Sequence, residues 1–193
     1  MYRGLRSITD LGAYRDASVN VVGADGSAQP AIGAEVTASA FRIAPEPPLH
    51  GRVLTAGDER AGAPPVVLLG YQVWRDRFDG NPQVVGRNIQ LGSGFATVVG
   101  VMPEGSAFPT SHELWMPLRT DVSGVEPRRG LDITIFGRLA PGMSRENAQT
   151  EVAAIGKRIA AEHSTTHAQL QPHVLPYTQG AVDSSDMAQM KAL

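Results

Sequence analysis

Apolar and polar positions along the chain follow two periods, and they alternate most clearly between Ala63 and Pro109. Pro65–Leu69 is an unbroken apolar run, rich in β-branched residues, that ends at Gly70 and predicts a buried strand. Tyr71, Trp74 and Phe78 follow at i, i+3 and i+7, so three aromatics share one face of a short helix, with Arg75, Asp76, Arg77 and Asp79 mostly on the others. Gly80-Asn81-Pro82 ends that helix. Arg87–Leu91 and Phe95–Val101 are strand-like, and the Gly92-Ser93-Gly94 link between them predicts a hairpin.

The flanking regions read less uniformly. Tyr2–Leu11 is expected to form a short helix with Leu5 and Ile8 facing inward. Ser18–Val22 and Ile32–Ala38 are strand candidates joined through turn residues 23–27; Ile32, Ala34, Val36 and Ala38 alternate with Gly33, Glu35 and Thr37, a half-buried pattern. Ala40–Ile43 is one helical turn, Pro45-Glu46-Pro47-Pro48 a stiff connector and Leu49–Glu59 irregular. Further on, Met102–Ser111 is a loop, Leu114–Leu118 a short strand and Asp121–Gly130 a polar connection. Leu131–Leu139 alternates, with Leu131, Ile133, Ile135 and Gly137 on one face. Ser144 is a good N-cap for a helix to Glu162, whose Ala148, Val152, Ile155 and Ile159 form an apolar stripe. His163–His167 is expected to be a loop, Gln171–Tyr177 a last strand and Val182–Leu193 an amphipathic, helix-capable tail.

Composition narrows the function classes. A chain of 193 residues allows one medium domain or two small lobes. With 17 Lys+Arg against 19 Asp+Glu and a formal net charge of −2, it carries no broad basic field for nucleic acid, so no nucleic-acid partner is expected. The absence of cysteine excludes disulfides, thiolate metal sites and cysteine nucleophiles. No run approaches the roughly 20 apolar residues of a membrane span, and the N-terminal MYRGLRSITD lacks the apolar core of a signal peptide.

A search for reaction chemistry gives little. There is no G-x-S-x-G elbow and no G-x-x-x-x-G-K-[ST]; Gly92-Ser93-Gly94 lacks the third glycine of a dinucleotide fingerprint, so no cofactor is expected. The D-x-[DN]-x-[DN]-G spacing of a calcium loop is missing. His163 and His167 are four apart, but Ser164-Thr165-Thr166 is expected to break the helix that would aim both at one ion. Together with His173 they therefore read as solvated loop residues, and His50 and His112 stand alone in loops. Two carboxylates meeting across a cleft, as a hydrolase needs, are not ruled out by sequence. The Tyr71, Trp74 and Phe78 set could line a ligand groove, although at helical spacing beside a buried strand such a set is more often core. The residues point to a binding or mechanical domain and not to an enzyme.

Six phrases carry a family likeness: TASAFRI (Thr37–Ile43), LHGRVLTAGDE (Leu49–Glu59), PPVVLLGYQVWRDRFDGNPQVVGRNIQL, ATVVGVMPEGSAFP, ELWMPL (Glu113–Leu118) and FGRLAPGMSRENAQTEV (Phe136–Val152). Present in this order over most of the chain, they resemble the extracytoplasmic core domain of the MacB/FtsX-type ABC transporter permeases, nearest to their orphan, duplicated group. The resemblance implies an α+β fold of two lobes. One is a porter-like α/β sandwich built from both chain ends (1–36 and 131–193); the other is a mixed α/β lobe inserted between them (37–130). It also implies a segment of a bacterial inner-membrane protein on the periplasmic side, its tail DMAQMKAL stopping where the family pattern enters a membrane helix.

The implied function is non-catalytic: coupling of membrane-helix movement to partner or cargo handling in efflux or export. The implied partners are the permease's own membrane helices and a periplasmic adaptor or lipoprotein, with an ATPase subunit only indirectly; the isolated domain is expected to be a monomer. Arg52, Trp74, Phe78, Gly86, Gly100, Trp115 and Pro117 match the family's structural signature, and Arg52 and Asp58, in a recurring family phrase, are expected to make a structural ion pair or loop hydrogen bonds. Pro103, Phe108 and Pro109, in a loop between strands, are the expected partner-contact edge. The alternative is a free-standing extracytoplasmic module for a small molecule or glycan, whose aromatics would be partly exposed.

Overall fold

A computed structural model describes residues 5–119, 130 and 132–178. The elements in chain order are β1 (Ile8–Val22), β2 (Ala28–Val36), α1 (Ala40–Ile43), β3 (His50–Gly51), β4 (Val66–Leu69), α2 (Tyr71–Arg77), β5 (Asn88–Leu91), β6 (Gly94–Val101), β7 (Leu114–Pro117), β8 (Thr134–Leu139), α3 (Arg145–Glu162) and α4 (Ser164–His167), with a 3-10 turn at Pro82–Val84. Parallel and antiparallel ladders mix in one sheet, in keeping with the α+β class.

Two units divide these residues. The larger holds 12–119 and 132–135, the smaller 5–11, 130 and 136–178, so β1 and β8 each begin in one unit and end in the other. The junctions fall at 11/12 and 135/136, whereas the sequence reading put them at 36/37 and 130/131. Strand pairing is the reason. Residues 14–22 and 28–36 pair as β1 and β2, and β2 then runs parallel to β7 from Gly33↔Leu114 to Val36↔Pro117, which ties the first hairpin to the middle of the chain.

In the larger unit the ladder closes on itself. β2 pairs β7, β7 pairs β4, β4 pairs β6, β6 pairs β5, β5 meets β1 at Val21↔Leu91, and β1 returns to β2. The β1–β5 closure is the narrowest link, supported by Gly92 N donating to Asn20 O at 2.8 Å. Val66–Leu69 is buried throughout, as its continuous apolar run predicts. Val67, Leu69, Val98, Val101, Leu114, Val21 and Ile89 pack with Val73, Trp74 and Phe78 of the α2 segment into one core.

Among its described residues the smaller unit buries less apolar surface. Its part of β1 lies beside β8, with Ala140 N donating to Ser7 O at 2.8 Å and Thr9 Oγ1 to Arg138 O at 3.3 Å. α3 starts at a capping box in which Ser144 Oγ accepts from Asn147 N and Asn147 Oδ1 accepts from Ser144 N. Its expected stripe is only partly covered: Ala148 is buried, Val152, Ile155 and Ile159 half-buried.

Four expectations are corrected. The helix over Tyr2–Leu11 is not formed in its described part; β1 starts at Ile8, because pairing along both sides of a long β-branched segment outweighs local helix preference. Ile32 shares a face with buried Ala34 and Val36 but lies just beyond the β7 register and is 60% exposed. His163–His167 is not wholly a loop: α3 ends at Glu162 and, after His163 at φ −126°, a short separate α4 forms with His167 N donating to His163 O at 2.8 Å. Gln171–Tyr177 is not a strand. Pro172 and Pro176 interrupt any ladder, and the Gln149 side chain takes its backbone instead, donating to Pro172 O at 3.0 Å and accepting from Val174 N at 2.7 Å. Leu131, Asp121–Arg129 and the tail from Val182 lie outside the described residues.

Candidate functional site

The signature residues assemble a frame around the α2 segment and the loop that precedes it. Trp74 and Phe78 are core, 8% and 6% exposed, and Trp74 Nε1 donates to Asn81 O at 3.0 Å, which fixes the chain just after the helix. His50 on β3 meets the Trp74 ring edge-on at 5.3 Å between centroids, so it is not the isolated loop histidine the sequence implied. Trp115 is 1% exposed; its Nε1 is a buried donor without a partner among the described residues. Pro117, also buried, ends β7, and Gly86 N donates to Val98 O at 2.8 Å. Gly100 lies opposite Gly51 where β3 pairs antiparallel with β6: a Cβ there would come within 2.4 Å of Arg52 O and 2.8 Å of His50 O, so only glycine lets these backbones approach.

Arg52 and Asp58 do meet. The guanidinium donates to both carboxylate oxygens at 2.7 and 2.9 Å, and Thr55 N and Oγ1 donate to Oδ2 at 2.7 and 2.8 Å. The Arg52 hydrogen bond, aided by those from Thr55, holds the Asp58 carboxyl down to about 2. Arg119 donates to Asp58 O and Pro64 O, and Glu59 accepts from Ala38 N. Residues 52–64, irregular in secondary structure, are thus stitched by charge-assisted bonds in place of a ladder.

The expected contact edge is divided. Pro103 and Phe108 are half-buried, and Pro109, after a cis peptide bond, is buried. Phe108 lines a cleft of about 140 Å³ with Phe41, Pro45, Glu46 and Met102, and Ser106 Oγ donates to Glu46 across it at 2.7 Å. Pro109 therefore shapes the loop from inside and does not present a surface.

Two polar arrangements had no sequence signal. His112 is 5% exposed, bonds Asp16 Oδ1 through Nε2 at 2.8 Å and meets Tyr14 edge-on, where the sequence placed it alone in a loop. In the smaller unit, the Glu151 carboxylate on α3 receives Arg6 N at 2.9 and 3.2 Å, Ser7 N at 2.9 Å and Ser7 Oγ at 2.5 Å. Those bonds, the Ser7 hydroxyl first, hold the Glu151 carboxyl below the usual carboxylate range. Both pairings span about a hundred residues or more, beyond any local pattern.

Among the described residues, no three His, Asp or Glu side chains gather in a metal-holding group, and no helix is long and apolar enough to cross a membrane.

Known proteins share the fold. The chain is similar in structure to the periplasmic region of MacB from Actinobacillus actinomycetemcomitans, with a TM-score of 0.62 and 16% identity over 84% of this chain and 71% of that one. It is also similar to the extracellular domain of the noncanonic ABC-type transporter YknZ from Gram-positive bacteria, with a TM-score of 0.64 and 14% identity over 90% of this chain and 84% of that one. No match to a curated protein sequence was found. The family model described as MacB-like periplasmic core domain matches residues 4–155, and the chain belongs to that family: it is the extracytoplasmic core domain of a MacB-like ABC transporter permease.

Proposed function

We propose that this domain is a non-catalytic coupling element, which converts movement of the permease's own membrane helices into handling of a periplasmic partner or cargo during efflux or export. The observation that supports the reading best is the Glu151 clamp. It joins Arg6 and Ser7 to α3 within one unit, so displacement of that segment would be passed to α3 through four bonds. Switching motions of this type use rigid bodies joined at few places. A lobe built from both chain ends with a second lobe set into it suits that role, and an adaptor or lipoprotein would meet the loop surface that carries Pro103 and Phe108. ATP enters only through a separate subunit. The alternative of a free-standing ligand module is weakened, since Trp74, Phe78 and Trp115 are core and Tyr71 is half-buried against them.

The test uses the full-length permease with its ATPase. Spin labels at Lys157 on α3 and at the exposed Phe95 on β6 report the distance between the units in ATP-bound and nucleotide-free states. Coupling predicts a shift of several ångströms. One unchanged distribution in both states would remove the proposal.

A further inference from the structure

We propose that His163 and His167 form a two-imidazole chelate for a divalent late transition-metal ion, of the Zn²⁺ and Cu²⁺ class, at the junction of α3 and α4. This site is independent of the coupling role. α3 ends at Glu162 and α4 begins at Ser164, with His163 between them at φ −126° and ψ 53°, outside the helical region. Two backbone bonds span the junction, His163 N donating to Ile159 O at 2.9 Å and His167 N to His163 O at 2.8 Å, and they keep α4 close to the end of α3.

The rings are already neighbours. Their centroids lie 5.8 Å apart with a 60° angle between planes. With metal–nitrogen bonds of about 2.0–2.1 Å, two imidazoles on one tetrahedral ion have centroids roughly 5–6 Å apart, so a small rotation of one side chain completes the chelate. His163 is exposed and free to make that rotation, while His167 is half-buried. Thr166 Oγ1 lies 2.7 Å from His167 Nδ1, which occupies that nitrogen and leaves Nε2 as the ligand atom; such outer contacts fix ring orientation at metal sites. Water completes the coordination, and imidazole ligands favour copper, zinc and nickel over magnesium or calcium. His173 does not share the ion. Its neighbour Pro172 packs against Gly156, seven residues before His163 and so roughly 10 Å back along the helix axis, and Val174 N is bonded to the Gln149 side chain. A bound ion would pin α4 to the end of α3.

The 193-residue chain is titrated with ZnCl₂ while the ¹H–¹³C signals of the five histidine rings are followed. The expected result is that His163 and His167 shift together and saturate at one equivalent in the micromolar range, with His50, His112 and His173 unmoved. His163→Ala and His167→Ala should each weaken binding by roughly tenfold or more, because a chelate depends on both rings, while His173→Ala leaves it unchanged. Replacing zinc by Cu²⁺ should tighten it. Independent titration of the two rings, equal shifts at His173, or no shift below millimolar zinc would overturn the assignment in the wild-type chain, whatever the variants do.

Discussion

The two units of this domain are held together by different physics. The larger unit closes six strands on themselves around a core of thirteen buried residues, including Trp74, Phe78 and Leu114. Among its described residues, the smaller unit buries only Phe136, which Tyr177 meets edge-on, and Ala148 as apolar side chains, and adds Ser7 bonded to Glu151, the bonds from Gln149 to 172–174 and the fit of Pro172 against Gly156. A Cβ at position 156 would fall 2.5 Å from Pro172 Cδ, so the two segments touch only because glycine stands there. Ile135, at the boundary, and Leu139, Met143, Leu175 and Tyr177 in the smaller unit leave apolar surface in water. Apolar burial scales with area and resists local opening, whereas a few specific polar bonds can be released singly. The larger unit is accordingly the stiff block, and the smaller one is the part able to yield.

The largest effect expected is on the block. Trp74→Ala removes a core side chain and the bond to Asn81, and should cost on the order of 3–5 kcal/mol in urea unfolding of the larger unit. A loss below about 1 kcal/mol would mean that the aromatic face is not its core.

Next comes the Arg52–Asp58 loop. Arg52→Ala leaves a buried carboxylate held only by Thr55 and should cost about 2 kcal/mol in the same assay. The pH dependence has a definite sign. The folded Asp58 carboxyl, at about 2, lies below its ordinary 3.8, so its contribution is complete above pH 3.8 and is lost as pH falls through about 2. Wild type should lose more stability over that window than Asp58→Asn; equal slopes would contradict the pairing.

The smallest effect on global stability belongs to Glu151. Glu151→Gln keeps the shape but removes the charge that draws in Arg6 N, Ser7 N and Ser7 Oγ. Faster amide exchange is expected at Arg6 and Ser7, with the unfolding midpoint of the larger unit unchanged. Because the Glu151 carboxyl is held below the ordinary 4.5, the clamp is intact at neutral pH and opens as pH drops below that value. A midpoint shift equal to that of Arg52→Ala would erase the distinction between the units.

What the sequence conveyed divides along the same line. Val66–Leu69, the aromatics of α2, the β5–β6 hairpin and the Ser144 cap were legible because each is a local pattern with one dominant period or cap. The Arg52–Asp58 pair, six residues apart, was legible through the family phrase that contains it. The start of β1, the exposure of Ile32 and the clamp of Ser7 by Glu151 were not, since each depends on a strand or side chain far along the chain. The α4 turn was missed for a different reason. Ser164, Thr165 and Thr166 are weak helix formers but not breakers, and the Thr166 hydroxyl finds its partners, His163 O and His167 Nδ1, inside the turn.

Native-state hydrogen exchange in low urea tests the difference between the units most directly. The amides of Ser7 and Val174 and those of α3 should open together in a sub-global step of lower free energy, while Val67, Leu69 and Val98 exchange only through global unfolding. Exchange of both sets along a single urea isotherm would contradict the account, because the chain would then be one cooperative block with no yielding part.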